Sequence, residues 1–184
     1  IWQDSSYDLF ARGKAAFLEK RFEHSTAFLT KACMENNALW PVAAALTAEA
    51  YIQWAQKKSI KGEIRLACGI LREALTFLPE NKEILLFLSK EEAASGQLEG
   101  ALVHMREALR LDRELWDRHW PLLEKRYLQF AATLGENEAV ELLYRGLEQL
   151  PERVDLRIKL GDLLFTARIY RDAVAVWEEA YQLS

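Results

Sequence analysis

The chain has 184 residues, 51% of them hydrophobic and 28% charged, proportions of a folded soluble protein rather than a disordered one. Its formal charge of −4, with both signs interspersed, leaves no basic stripe for nucleic acid and no polybasic tract for a membrane surface. No apolar run approaches the ~20 residues needed to cross a bilayer. The chain opens on Ile1 with no basic-then-apolar leader, so it is expected to be a piece of a longer protein, with its compartment left open.

Ser5 to Glu19 predict a first helix, with Asp4, Ser5 or Ser6 as its cap. Gly13 falls where this helix would touch the next. Lys20–Arg21 makes a short turn, and Phe22, Leu29, Ala32 and Cys33 line a second helix. Asn36–Asn37 ends it, since asparagine tolerates the left-handed backbone that stops helices. Trp40–Pro41 opens a third helix, where proline is harmless in the first turn. QKKSIKG (residues 56–62) is expected as the longest connection. Pro79 closes the block that starts at Gly62, Asn81 caps Lys82 to Ala94, and Gly96 turns the chain into the next block. Asp112 leads into RELWDRHWPLLEKRYLQFAATL, where Trp116 and Trp120 share a face. Pro121 implies either a kink in an early-starting helix or a start near Trp120. Leu134–Gly135 turns the chain again, Pro151 stops the following helix, and Val154–Thr166 with Arg168–Leu183 complete the series.

The stretch Gly96–Arg113 organises this pattern. Its Ala101, Met105, Ala108 and Leu109 follow the i, i+4, i+7, i+8 spacing of one helical face, and alanine at two of those places lets a neighbouring backbone come close. Copies lie at Gly62–Pro79 and Leu134–Pro151, with looser ones at Lys20–Asn37 and Arg168–Ser184. The seam residues Ala32, Ala74, Ala108, Gly146 and Ala180 are separated by 42, 34, 38 and 34 residues. The extra eight and four are close to two turns and one turn of helix, and would lengthen a first helix or a loop. The expected fold is all-α: an α-solenoid of five antiparallel helix pairs in one repeat domain, 1–184, without strands. The repeats fall at approximately 5–37, 40–79, 82–113, 114–151 and 154–184. Because a terminal repeat exposes the face meant for its neighbour, the array is expected to continue beyond Ser184. Tyr170, Val174, Trp177 and Tyr181 should then be partly exposed, or covered by self-association.

These residues resemble the tetratricopeptide repeat family over nearly the whole chain. The resemblance rests on Leu160–Gly161 followed by Tyr170, Ala173, Trp177 and Ala180, on Leu88–Ser89 followed by Gly96, Ala101 and Ala108, and on Gly62, Ala67, Ala74 and Pro79. Two of the four seam intervals equal that family's 34-residue period. It implies helix pairs stacked into a right-handed superhelix, with a concave face lined by the first helix of each pair and binding peptides or proteins. Leu39–Trp40, Leu115–Trp116 and Glu91–Glu92 look similar to the half-a-tetratricopeptide variant of RNA-processing scaffolds, the runner-up. The family's clamp for a terminal carboxylate maps to Phe10 and Lys14, Ala44 and Ala48, and Leu86 and Lys90. Only Lys14 and Lys90 fit, so a chaperone-tail adaptor is disfavoured.

No phosphate loop, nucleophile elbow or His-Glu-His metal signature is present, so no enzyme, cofactor or metal is expected. Cys33 and Cys68 are too few for a disulfide framework and read as buried small hydrophobes. His24, His104 and His119 are scattered, and the pairs Glu91–Glu92 and Glu178–Glu179 read as solvated helix faces. The leading function is a non-catalytic scaffold binding a protein or peptide partner, with neither direct nucleic-acid binding nor membrane insertion. The alternatives are a subunit of an RNA-processing complex and a module of a secretion or envelope-assembly protein. The candidate groove takes Phe10, Lys14 and Phe17 from the first pair, Ala48 and Tyr51 from the second, and Leu86 and Lys90 from the third. The fourth pair adds Trp120 and Tyr127, and the fifth Ile158, Asp162 and Phe165. Aromatic rings there would supply contact area, and lysines would orient an apolar segment carrying a few acidic groups.

Overall fold

The computed structural model describes residues 5–184, in which ten α-helices and one short 3-10 turn carry the chain and no strand occurs. The expected cap Asp4 lies outside the described residues. The chain divides at Gln97/Leu98 into two compact units, so the third sequence block is shared between them.

The first unit holds α1 (Ser5–Leu18), α2 (Phe22–Glu35), the 3-10 turn Asn37–Leu39, α3 (Trp40–Ile60), α4 (Ile64–Phe77) and α5 (Lys82–Ala94). Consecutive helices pack on one another, and α3 also touches α1 and α5. The three first helices therefore form one layer, with α2 and α4 behind it. Leu9, Ala32, Cys33 and Ala43 bury one cluster, while Tyr51, Cys68, Leu71, Ala74 and Leu88 belong to a second. Both cysteines are free and buried, and burial pushes both thiols above their ordinary pKa. The second unit holds α6 (Leu98–Leu111), α7 (Arg113–Ala131), α8 (Glu136–Gln149), α9 (Val154–Thr166) and α10 (Tyr170–Leu183). Its consecutive helices pack in turn, and α7 also touches α9.

The small-residue seam is buried as expected: Ala32, Ala74 and Ala108 have no exposed surface, and Gly146 and Ala180 are buried too. The first helices end in phase with it. Those of α1, α3, α5 and α9 stop 14 residues before their seam residue, and α7 stops 15 before. The inserted residues therefore sit at helix starts, in α3 (21 residues) and α7 (19), against 13 or 14 elsewhere among the first helices.

Three expectations are corrected here. Residues 56–60 are not a connection but the last turn and more of α3. Ala55 is pinned in the core and no breaker precedes Gly62, so the helix runs on until that glycine turns left-handed at φ 80°. Asn36 does not end α2 through the left-handed region. It is extended (φ −141°), and its side-chain oxygen accepts the Ala38 N–H at 3.1 Å, starting the 3-10 turn. Glu91 and Glu92 are not solvated: they are 3% and 1% exposed, on the α5 face packed toward α3 and α4. The Ser59 hydroxyl donates to Glu91 at 2.7 Å, and Arg72 pairs with Glu92 at 2.7 Å. Removing Arg72 would leave a buried carboxylate with less compensation, which destabilises the fold.

Of the two readings of Pro121, the early start is found. Asp112 accepts from the Glu114 N–H at 2.8 Å and fixes the first turn at Arg113, leaving Pro121 inside α7. The left-handed turns also keep the seam's phase. Lys20 (φ 58°), Gly62 and Gly96 (both 80°) and Arg168 (63°) each lie 12 residues before a seam residue. At two of these four places a long cationic side chain occupies a backbone that suits glycine.

Candidate partner-binding surface

The twelve candidate groove residues divide into three groups. Lys14, Lys90, Ile158, Asp162 and Phe165 are exposed, while Phe10, Phe17, Leu86 and Trp120 are half-buried. Tyr51 and Tyr127 are buried at 1% and 0% exposure and are withdrawn from the surface.

The burial of the two tyrosines has one cause in both units. α3 packs against neighbours on several sides, so its face toward α4 takes the Tyr51 ring, while the hydroxyl donates to Glu73 at 3.0 Å. Burial first, and then the Glu73 carboxylate, hold that phenol well above its ordinary pKa. Tyr127 lies against Gly146, where a Cβ would stand 3.1 Å from the ring, and its hydroxyl donates to Gln149 at 2.9 Å. Gly146 thus replaces alanine in the seam because a tyrosine fills the space. Ala48 is buried as well.

The half-buried rings are partly spent on packing. Phe10 packs on the cluster of Leu9, Ala32 and Cys33, and Phe17 meets Phe22 edge-on at 5.6 Å. The Arg153 guanidinium covers Trp120 at 3.9 Å from the ring centroid. Phe165 is 52% exposed, with Tyr170 edge-on at 5.2 Å and Trp177 at 5.7 Å. On α10, Tyr170, Val174 and Tyr181 are exposed and Trp177 is half-buried.

Within the first unit a row of polar residues emerges. Lys14, Gln56 and Lys90 each lie 18 residues before a seam residue (Ala32, Ala74, Ala108), and all three are exposed. Lys14 stands 5.6 Å from the centroid of Phe10, and Lys90 stands 5.4 Å from that of Phe87. Among the described residues neither lysine has a carboxylate within ion-pair distance. Gln56 is the member that sequence reasoning missed, because its stretch read as a loop and Ala48 took its place. Its signal was the constant distance from the seam. In the second unit the matching positions are Leu128, half-buried, and Asp162, exposed.

Among the described residues no cluster of three or more His, Cys, Asp or Glu could hold a metal ion, and no helix is long and apolar enough to cross a membrane. No protein-family model matches the chain, and no curated protein matches it. Solved structures do match. A crystal structure of MamA aligns with a TM-score of 0.50 at 13% identity, over 93% of this chain and 93% of that one. PilF of Pseudomonas aeruginosa aligns at 0.46 and 17% identity, over 98% and 77%. YrrB, described as a TPR protein with an unusual peptide-binding site, aligns at 0.47 and 16% identity, over 100% and 88%. At such identities the likeness bears on the fold alone. With ten helices and a small-residue seam buried in phase among the described residues, and with the MamA alignment beside them, the chain has an all-helical, tetratricopeptide-repeat-like fold.

Proposed function

We propose that the protein is a non-catalytic interaction scaffold that holds a segment of a partner protein across the first helices of its first unit. The tetratricopeptide-repeat fold supports an interaction scaffold in general terms. The observation that carries the partner's chemistry is the row Lys14, Gln56 and Lys90, with both ammonium groups exposed, lacking a carboxylate partner among the described residues, and set over the rings of Phe10 and Phe87. A cation beside a half-buried ring offers an acidic side chain its charge and an adjoining apolar side chain its contact area.

α1, α3 and α5 are neighbours in one layer. Packed helix axes lie about 8–10 Å apart, so two steps span roughly 16–20 Å. An extended peptide covers that distance in about six residues. The partner segment should therefore carry two acidic groups about six residues apart around an apolar middle, with Gln56 available to its backbone.

Selection of binders from a random peptide library on the purified chain tests this. Acidic residues at that spacing should emerge. The double variant Lys14→Glu/Lys90→Glu should lose the selected peptides by tenfold or more at unchanged helicity and melting temperature, both side chains being exposed. Peptides of no common charge, or a double variant that binds them as tightly as the parent, would overturn the reading.

A further inference from the structure

A cavity of about 270 Å³ opens in the first unit between the α1–α2 turn and the C-terminal end of α3. Lys20, Arg21 and His24 line it from the turn and the start of α2, and Lys57, Lys58 and Lys61 line it from α3, with the rings of Trp54 and Phe22 among its walls. Glu23 is its one acidic lining residue. Counted over residues 1–97, Lys and Arg number twelve and Asp and Glu number twelve, so that stretch is neutral. Five of its twelve cations nonetheless gather at one cavity.

Ordinary pairing accounts for two of them. Arg21 pairs with Glu19, and Lys58 with Glu63 at 3.3 Å. Lys20, Lys57 and Lys61 are exposed and have no carboxylate partner among the described residues. Cations near the C-terminus of α3 also offset its exposed carbonyls, but that effect fades within a turn and does not reach Lys20, which comes from another element. Lys20 carries an independent sign. It holds the left-handed backbone that Gly62 and Gly96 hold in the next two turns, so a strained residue is kept where glycine would be relaxed, and that residue lines the cavity.

We propose that this cavity is a second docking site, separate from the row of Lys14 and Lys90, and that it takes an acidic peptide segment with one apolar side chain. Lysine ammonium groups are compact point charges that suit carboxylates, and the Trp54 indole offers an apolar wall to the residue between them. A nucleic acid would need a basic track along successive phosphates. Here the cations converge on one cavity that also holds Glu23, and the chain as a whole carries −4.

The test uses a fluorescein-labelled peptide with four glutamates around a single phenylalanine, read by anisotropy on the whole chain. Saturable binding is expected, weakening as salt rises because the contacts are exposed charges. Lys57→Glu/Lys61→Glu should weaken it by about tenfold or more, whereas Lys14→Glu/Lys90→Glu should change it by less than about twofold. Lys20→Gly gives the sharper reading: it should raise the melting temperature by relaxing the turn and weaken the peptide by about threefold. A peptide unaffected by the α3 variant, a Lys20→Gly chain that binds as well as the parent, or tighter binding of a single-stranded oligonucleotide would each overturn the proposal. Loss of this site would leave the row's own selection result untouched, so the two readings fail separately.

Discussion

The two units share a skeleton and differ in what they display. Each sets a buried seam behind first helices that end in phase with it, and each buries a tyrosine whose hydroxyl reaches the second helix: Tyr51 to Glu73 and Tyr127 to Gln149. Their surfaces diverge. Residues 1–97 are neutral, with lysines that have no carboxylate partner among the described residues standing out at Lys14, Lys90 and around the α1–α2 turn. Residues 98–184 hold twelve cations against sixteen anions, and so carry the whole −4. There Asp162 takes the place of the lysine in the row, and Phe165, Tyr170 and Tyr181 supply exposed rings. Seam positions decide the packing, and positions off the seam are left free to decide the partner. On the proposed reading, an acidic ligand therefore belongs on the first unit.

Overpacking the shared skeleton should produce the largest effects, in either unit and without regard to charge. Ala108→Leu, at a fully buried seam position, should destabilise by about 1–3 kcal/mol. Gly161→Ala should cost about as much, since a Cβ there lands on the Trp177 indole. Denaturant melts check both, and an unchanged midpoint for either would contradict the register. Tyrosine to phenylalanine comes next. Tyr51→Phe loses a hydrogen bond to a carboxylate and should cost about 1.5–3 kcal/mol, whereas Tyr127→Phe loses a neutral one and should cost about 1 kcal/mol. Equal losses would mean that the skeleton does not distinguish Glu73 from Gln149.

Most of this skeleton was legible in the sequence, because close packing demands small residues and repeats them in phase. Ala74 and Ala108, the Asn81 cap, Pro41 in a first turn and Pro79 after a helix are local signals, and each stands where the pattern put it. The surface was less legible, for two physical reasons. A helix packed on several sides buries more than one face, so a tyrosine at a plausible groove position in α3 or α7 is claimed by its own partner helix. Polar composition also hid residues 56–60, where lysines on a helix end look like a loop and conceal both Gln56 and the cavity wall. The buried Glu91 and Glu92 misled in the opposite direction, since their partners Ser59 and Arg72 are distant in sequence.

Smaller effects should come from the backbone of the turns and helices, and they carry the opposite sign. Lys20→Gly and Arg168→Gly should each stabilise by about 0.5–1 kcal/mol by relieving a left-handed residue, once in each unit. Gly69 lies inside α4 with open space around its Cβ position, so Gly69→Ala should stabilise by up to about 1 kcal/mol. Thermal melts resolve all three, and a loss of stability in any of them would show that the turn or helix carries a contact beyond its backbone.

The most direct test of the account is a calorimetric titration of one library-selected acidic peptide into three proteins: the parent chain, Lys14→Glu/Lys90→Glu in the first unit, and Asp162→Lys in the second. The dissociation constant should be at least tenfold weaker for the first variant and within twofold of the parent for the second, with all three proteins equally helical. Unchanged binding in the first variant, or a larger loss in the second, would contradict the assignment of the partner to the first unit.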